Sequence, residues 1–415
     1  MNNSGVLSAD RSVLGELAAQ VAEIAALPVQ QETIRLWKAL NGLRPERPMV
    51  AIDQIPWHEM NVNDELTLRC RDDFARQLET GLRRMLYRWR HMRVDMVVEP
   101  ILEIRKVFDD DCFGYHIQEN TAVLDPQNDV RGHLYLDQIK TDEDIDRIHA
   151  PHIALNEQAT AEREAVVREV FHGLLDVRMI GYEPWFRLWD ILPMWHSVEG
   201  CLMDLADRPG FVHRLMRRFT DAHLQWLDDL EAKGYLRGPM TIVHCAGAWS
   251  DELPAPGYDP ARPRAKDLWT AGMAQVFSSV SPAMHKEFEI DYAIPWYARF
   301  GLGYYGCCEP LDRKLDIVRL LPNLRKVSMS PWVDMDRGAE GLGPDYVFSR
   351  KPAPVLLAGD TCHQGVIEAD LRAARDACSR YGCPLEFTLK DISTVRYQPA
   401  RLWQWADTAM RVVKS

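Results

Sequence analysis

The chain has 415 residues, 47% hydrophobic and 27% charged, with a formal net charge of -12. That is ample apolar material for a large core, and the acidic balance argues against nucleic acid as a partner, because phosphate binding needs a basic surface. No stretch approaches the roughly 20 uninterrupted apolar residues of a spanning helix, and no basic start, apolar run and small-residue cleavage site open the chain. The expected location is therefore the cytoplasm, with no membrane partner. Nine cysteines, an odd number over so long a chain, do not make a secreted disulfide framework.

Apolar residues at helical spacing (Leu14, Leu17, Val21, Ile24, then Ile34, Trp37, Leu40) predict helix over 7–43, divided at Pro28. A short apolar strand, 49–53, ends in Asp53, and an Arg-rich helix follows over 64–91. From there, short apolar runs alternate with helix-period segments. The predicted strands after the first are 96–104, 177–182, 241–245, 303–308, 326–330, 346–349 and 385–389. Strand–helix alternation implies a parallel sheet with helices outside it. Eight units with no glycine-rich phosphate fingerprint after the first strand favour a (β/α)8 TIM barrel over an open doubly wound sheet. The expected organisation is an N-terminal helical extension over 1–46 and a barrel domain over 47–415. An insertion after the second strand spans about 107–152, and a second long loop runs over 249–268.

In barrel enzymes the active site lies at the C-terminal strand ends. Those positions here carry Asp53, Glu103, Glu183-Pro184-Trp185, His244-Cys245, Cys307-Cys308-Glu309, Ser330-Pro331-Trp332, Arg350-Lys351-Pro352 and Lys390-Asp391. Soft donors on two consecutive predicted strands, with acids and lysines around them, are what a small metal site or a thiol site requires. The metal ligands expected on this ground are His244, Cys307 and Cys308. Successive strand residues face opposite ways, so both cysteines can serve one ion only if the strand has already ended. A pair of structural cysteines and a satisfied core histidine are the alternatives. Glu309, Lys351 and Asp391 are the expected catalytic groups, and Glu183, Trp332 and Lys390 the expected substrate contacts. Ion pairing among these acids and lysines is the competing reading.

Ser281-Pro282-Ala283-Met284-His285-Lys286-Glu287-Phe288 is similar to the Ser-Pro-x-Met-x-x-Glu-Phe helix of the uroporphyrinogen decarboxylase-like superfamily, which includes zinc-dependent, corrinoid-linked methyltransferases. The resemblance extends from residue 241 to the C-terminus. It sets Cys308 on the family's zinc-binding cysteine and Gly306 on its histidine. The chain also has Lys390-Asp391-Ile392-Ser393-Thr394 where the methyltransferases carry a further ligand cysteine. Asp391 is then the substitute oxygen ligand. No match to the arginine-rich N-terminal loop of true uroporphyrinogen decarboxylases is found, and no corrinoid-binding Asp-x-His-x-x-Gly segment. The resemblance implies a zinc-dependent methyltransferase-like enzyme that moves a methyl or similar small group between a small substrate and a corrinoid or tetrahydrofolate-type carrier. A corrinoid would arrive on a separate protein. The alternatives are a metal-independent decarboxylase or lyase on the same barrel, and a barrel that binds ligand without turnover. A homodimer is the base-rate expectation.

Overall fold

The computed structural model describes residues 8–123 and 131–415. Residues 1–7 of the expected extension and 124–130 of the expected insertion lie outside the described residues.

Helices α1 (Ser8–Ala25) and α2 (Val29–Asn41) precede the first strand, broken near Pro28 as expected. The break bends this pair by 63°, and no single helix among the described residues is long and apolar enough to cross a membrane. Leu14, Leu17 and Val21 of α1 are buried with Leu78, Leu82 and Leu86 of α3 (Asp73–His91) in a cluster of their own. Each such side chain contributes about 1.5–3 kcal/mol when taken out of water. Asp72 caps α3, its carboxylate accepting from the Ala75 amide at 2.9 Å. The helix begins later than residue 64 because Asn61 and Asp64 tie the preceding segment into turns.

The strands in chain order are β1 (Met49–Ile52), β2 (Ile101–Arg105), β3 (Phe108–Asp110), β4 (Glu119–Ala122), β5 (Gly132–Tyr135), β6 (Ile153–Leu155), β7 (Asp176–Ile180), β8 (Ile242–Val243), β9 (Ala246–Gly247), β10 (Trp269–Gly272), β11 (Leu302–Tyr305), β12 (Leu324–Met329), β13 (Val347–Arg350) and β14 (Leu385–Leu389). A six-stranded sheet runs β1-β14-β13-β12-β11-β10, parallel throughout. β2 and β7 form a separate parallel pair. A parallel bridge between Phe186 and Gly272 ties the chain leaving β7 to β10. β1 and β2 do not pair with each other. The core is thus a parallel α/β array with helices such as Pro209–Lys233, Gln364–Arg380 and Ala400–Lys414 outside it.

Two expectations are corrected. Residues 241–245 are not a strand of the parallel array: β8 and β9 form a small antiparallel hairpin, with His244 and Cys245 as its two-residue turn. The neighbouring strand of β11 is instead β10, in Trp-Thr-Ala-Gly. Its small residues hide the apolar signal, although all four are buried. Gly272 is small because a Cβ there would lie 2.6 Å from the Tyr297 hydroxyl. The second predicted strand, 96–104, begins only at Ile101, after Pro100, which has no amide to give a ladder.

Within the excursion after β2, β3 pairs antiparallel with β6, and β4 with β5. The helix Asp142–Asp146 carries a capping box in which Thr141 and Asp144 satisfy each other's backbone amides.

Candidate thiol site at the strand ends

β11 stops at Tyr305, and Gly306 leaves it with φ 95°, a conformation that favours glycine. A Cβ at Gly306 would also lie 2.5 Å from Cδ1 of Leu311 and 3.1 Å from Cβ of Ser328. The pleat is therefore broken before the cysteines, and Sγ of Cys307 and Cys308 come within 3.6 Å of each other. Glu309 pins this turn from beneath. Its carboxylate accepts from the Cys307 amide at 2.9 Å and from the Ala274 amide at 3.2 Å, joining the ends of β11 and β10. Complete burial pushes the Glu309 acid up to about 7.

β14 delivers the countercharge. Lys390 Nζ lies 2.9 Å from Cys307 Sγ and 3.3 Å from the Asp391 carboxylate, which in turn lies 3.4 Å from Cys308 Sγ. The Cys307 thiol is driven well below its ordinary range by the hydrogen bond from Cys308. Burial opposes this, and His244 and Lys390 add to it. Cys308 is driven the other way, because its proton is held by the Cys307 sulfur. Of the two sulfurs, Cys307 is the one whose surroundings favour the ionised form, with Lys390 against it.

His244 arrives from the hairpin turn. Both turn residues have positive φ, 43° for His244 and 70° for Cys245, as a two-residue hairpin of the primed type requires. Neither is glycine, so the turn stores strain of about 1–3 kcal/mol per residue. Polar anchors hold it. Asn41 Nδ2 donates to the Gly247 and Trp249 carbonyls at 3.0 and 2.7 Å, Lys326 Nζ donates to the Gly247 carbonyl at 2.8 Å, and the Trp269 indole donates to Ala248 O at 2.9 Å. The His244 ring lies between Tyr304, stacked at 4.7 Å, and Trp185 at 5.7 Å, and it faces the Cys307 sulfur. Burial holds its pKa below the ordinary histidine value. Its Nδ1 is buried without a well-formed hydrogen bond.

The other expected residues are distributed as follows. Lys351 is buried behind the thiols, donating to the Tyr304 hydroxyl and to Ser349 Oγ, and burial lowers its pKa to about 8. Asp391 is half exposed at the rim. Glu183 pairs with Arg237 at 2.6 Å, and Arg237 also holds Glu103 at 2.7 Å, so the guanidinium bridges the two acids at neighbouring strand ends. Trp332 is 78% exposed and points to solvent.

A second donor group was not anticipated. Among the described residues, one set of three has all its ligand atoms within 4.8 Å of one another, and it is Asp111, His149 and His152. Asp111 follows β3 and His152 precedes β6, so the antiparallel ladder sets them opposite, with His152 Nδ1 2.9 Å from Asp111 Oδ2. Two histidines and a carboxylate suit a divalent transition metal. The signal was present as His149-Ala150-Pro151-His152, but its partner lies 38 positions upstream of His149.

The fit to zinc at the thiol site is partial, because the two sulfurs are close but His244, Cys307 and Cys308 do not bring three ligand atoms within 4.8 Å of one another. The sulfur separation of 3.6 Å is near the ~3.8 Å that two thiolates take on one tetrahedral ion with zinc–sulfur bonds of about 2.3 Å. The His244 Nδ1 is buried without a partner, which leaves it free to take one.

No family model matches the chain, and no curated protein matches it. Among solved structures it is similar to a methyltransferase from Methanosarcina mazei, at 12% identity and a TM-score of 0.49, with 92% of this chain and 98% of that chain covered. No residue role is taken from that likeness.

Proposed function

We propose that the chain is an enzyme whose chemistry centres on Cys307, built on a (β/α)8 barrel with one open seam. The barrel reading is supported by the order β2, β7, β10, β11, β12, β13, β14, β1, which the Phe186–Gly272 bridge makes continuous. The reaction proposed is zinc-dependent transfer of a methyl or similarly small group between a small substrate and a corrinoid or tetrahydrofolate-type carrier. The observation that carries it is the convergence of Lys390, His244 and Cys308 on one sulfur. Cys307, Cys308 and His244 would hold the ion, with Asp391 as an oxygen donor. A bound zinc supplies Lewis acidity, lowering the pKa of a thiol or polarising a leaving group.

This chain's own residues do the rest. Lys390 neutralises the thiolate, and Glu309 fixes the turn that carries both sulfurs. Lys351 would orient an anionic substrate, with Trp332 and Glu183 at its outer edge. A separate corrinoid protein is the partner this reaction needs, and a cytoplasmic homodimer remains the expected assembly.

The test is metal analysis of protein purified without chelator, together with methyl transfer from methylcob(III)alamin to a small thiol. Zinc bound by the parent chain, lost in Cys308→Ser but kept in His149→Ala, together with methyl transfer that the same change abolishes, supports the reading. Metal-free protein whose Cys308→Ala variant is equally active overturns it.

One observation favours a second reading, a metal-independent decarboxylase or lyase: Lys351, with its pKa lowered to about 8, is poised for acid–base work. Carbon dioxide release from a carboxylated substrate by metal-free protein, lost in Lys351→Met, would select it.

A further inference from the structure

A cavity of about 460 Å³ opens at the seam where β1 and β2 fail to pair. Its inner wall is the β8–β9 hairpin: Cys245 faces the cavity, while His244, one residue earlier in the same turn, faces the Cys307 sulfur. The cavity therefore adjoins the thiol site but is lined by different side chains. Its volume is that of a small-molecule site.

Two features define what it would take. One is aromatic. Trp57 and Trp249 line the cavity, and the Arg84 guanidinium lies over the Trp57 ring at 5.0 Å. These are flat surfaces for a flat ligand. The other is Arg88. Its Nη2 donates to the Ile52 carbonyl at 2.7 Å, replacing the strand partner β1 lacks on that edge. The guanidinium makes no other hydrogen bond to a described residue and no ion pair within 4.0 Å. A guanidinium offers five donors in a planar fork, so the remaining ones face the cavity. Burial lowers its pKa and the Asp53 carboxylate opposes that shift without reaching ion-pair distance, so the cation has no counter-ion in contact. Asp53 and Glu99 also line the cavity, which disfavours a multiply charged anion.

We propose that this cavity binds a flat, apolar monocarboxylate, with the carboxylate on the free donors of Arg88 and the ring against Trp57 and Trp249. The site stands whether or not Cys307 carries the chemistry described above.

The probe is 1-naphthoate, titrated calorimetrically into the full chain, with 1-naphthylmethanol as its neutral counterpart. The parent chain is expected to bind 1-naphthoate at least tenfold more tightly than the alcohol. Arg88→Met should weaken the acid at least tenfold, about 1.4 kcal/mol, and leave the alcohol unchanged. Because Arg88 also satisfies Ile52, a second variant guards against misfolding. Gly81 lines the cavity, and a Cβ there would meet nothing within 4 Å, so Gly81→Trp adds bulk without disturbing the backbone and should abolish binding of both probes. Cys307→Ser should bind 1-naphthoate like the parent, which separates this proposal from the thiol reading. Absence of 1-naphthoate binding by the parent at millimolar concentration, or folded Arg88→Met and Gly81→Trp variants that bind it unchanged, overturns it.

Discussion

Lys390 Nζ lies 2.9 Å from Cys307 Sγ, a buried ammonium at the end of β14 against a buried sulfur just beyond β11. The contact spans 83 positions of sequence and adds to the lowering of the Cys307 pKa that the Cys308 and His244 contacts begin. Replacing Lys390 by Met removes the cation and leaves the thiolate in a poorly solvated site. Alkylation of Cys307 by iodoacetamide at pH 7, followed by mass spectrometry on chelator-treated protein, should slow at least tenfold. Lys390→Arg should retain most of the rate. Equal rates in the parent and Lys390→Met would show that the ammonium does not sustain the thiolate.

Lys326 and Glu386 form a fully buried ion pair at 2.6 Å, and Lys326 also donates to Gly247 O, anchoring the hairpin that bears His244. Breaking such a pair leaves an uncompensated buried charge, at a cost of about 3–5 kcal/mol. Lys326→Met should lower stability by that amount in urea unfolding. Lys326→Met combined with Glu386→Leu should cost less than the two single changes added together.

Two glycines should respond with opposite sign to alanine. Gly81, inside α3 with open space around a new Cβ, gains helix propensity, and Gly81→Ala should stabilise the chain by about 0.5–1 kcal/mol. Gly306→Ala must accommodate φ 95° and the Leu311 side chain, and should cost at least about 1–3 kcal/mol. Thermal unfolding of both variants checks the pair.

Burial lowers the pKa of His223 and of His285 to about 3, from an ordinary value of 6.5. Between those values the unfolded chain binds protons that the folded chain does not, so stability rises with pH across that window. It is complete above about 6.5 and lost as pH falls toward 3, at up to about 1.4 kcal/mol per pH unit for each histidine. His223→Leu should flatten the dependence between pH 6.5 and 5, measured by urea unfolding at several pH values. An unchanged slope would remove His223 from the account.

The Asp111, His149 and His152 group offers a further check on any metal found. Cobalt(II) added to the parent chain should give two visible absorption bands of different origin. His149→Ala together with His152→Ala should remove the weak nitrogen–oxygen one, and Cys308→Ser the intense thiolate one.

Much of the architecture was legible because it is local. The runs at 49–53 and 385–389 read as strands from their apolar residues alone, and they pair with each other in register. The family resemblance implied a helix at Ser281-Pro282-Ala283-Met284, and Ser281 caps one there, accepting from the Met284 amide at 3.2 Å. Two thiols and an acid at a strand end marked residues 307 and 308 as candidates. What the sequence could not convey is non-local. Thr241 to Cys245 has the composition of a strand, and only the anchors from Asn41, Lys326 and Trp269 turn it into a hairpin. Trp269 to Gly272 looks too small for a strand, and only Tyr297 packed over Gly272 explains why it must be small. The sequence by itself determined an α/β chain with a sulfur pair where a strand ends. The tertiary structure decided what surrounds that pair, because the ammonium against Cys307 comes from a strand end 83 residues away.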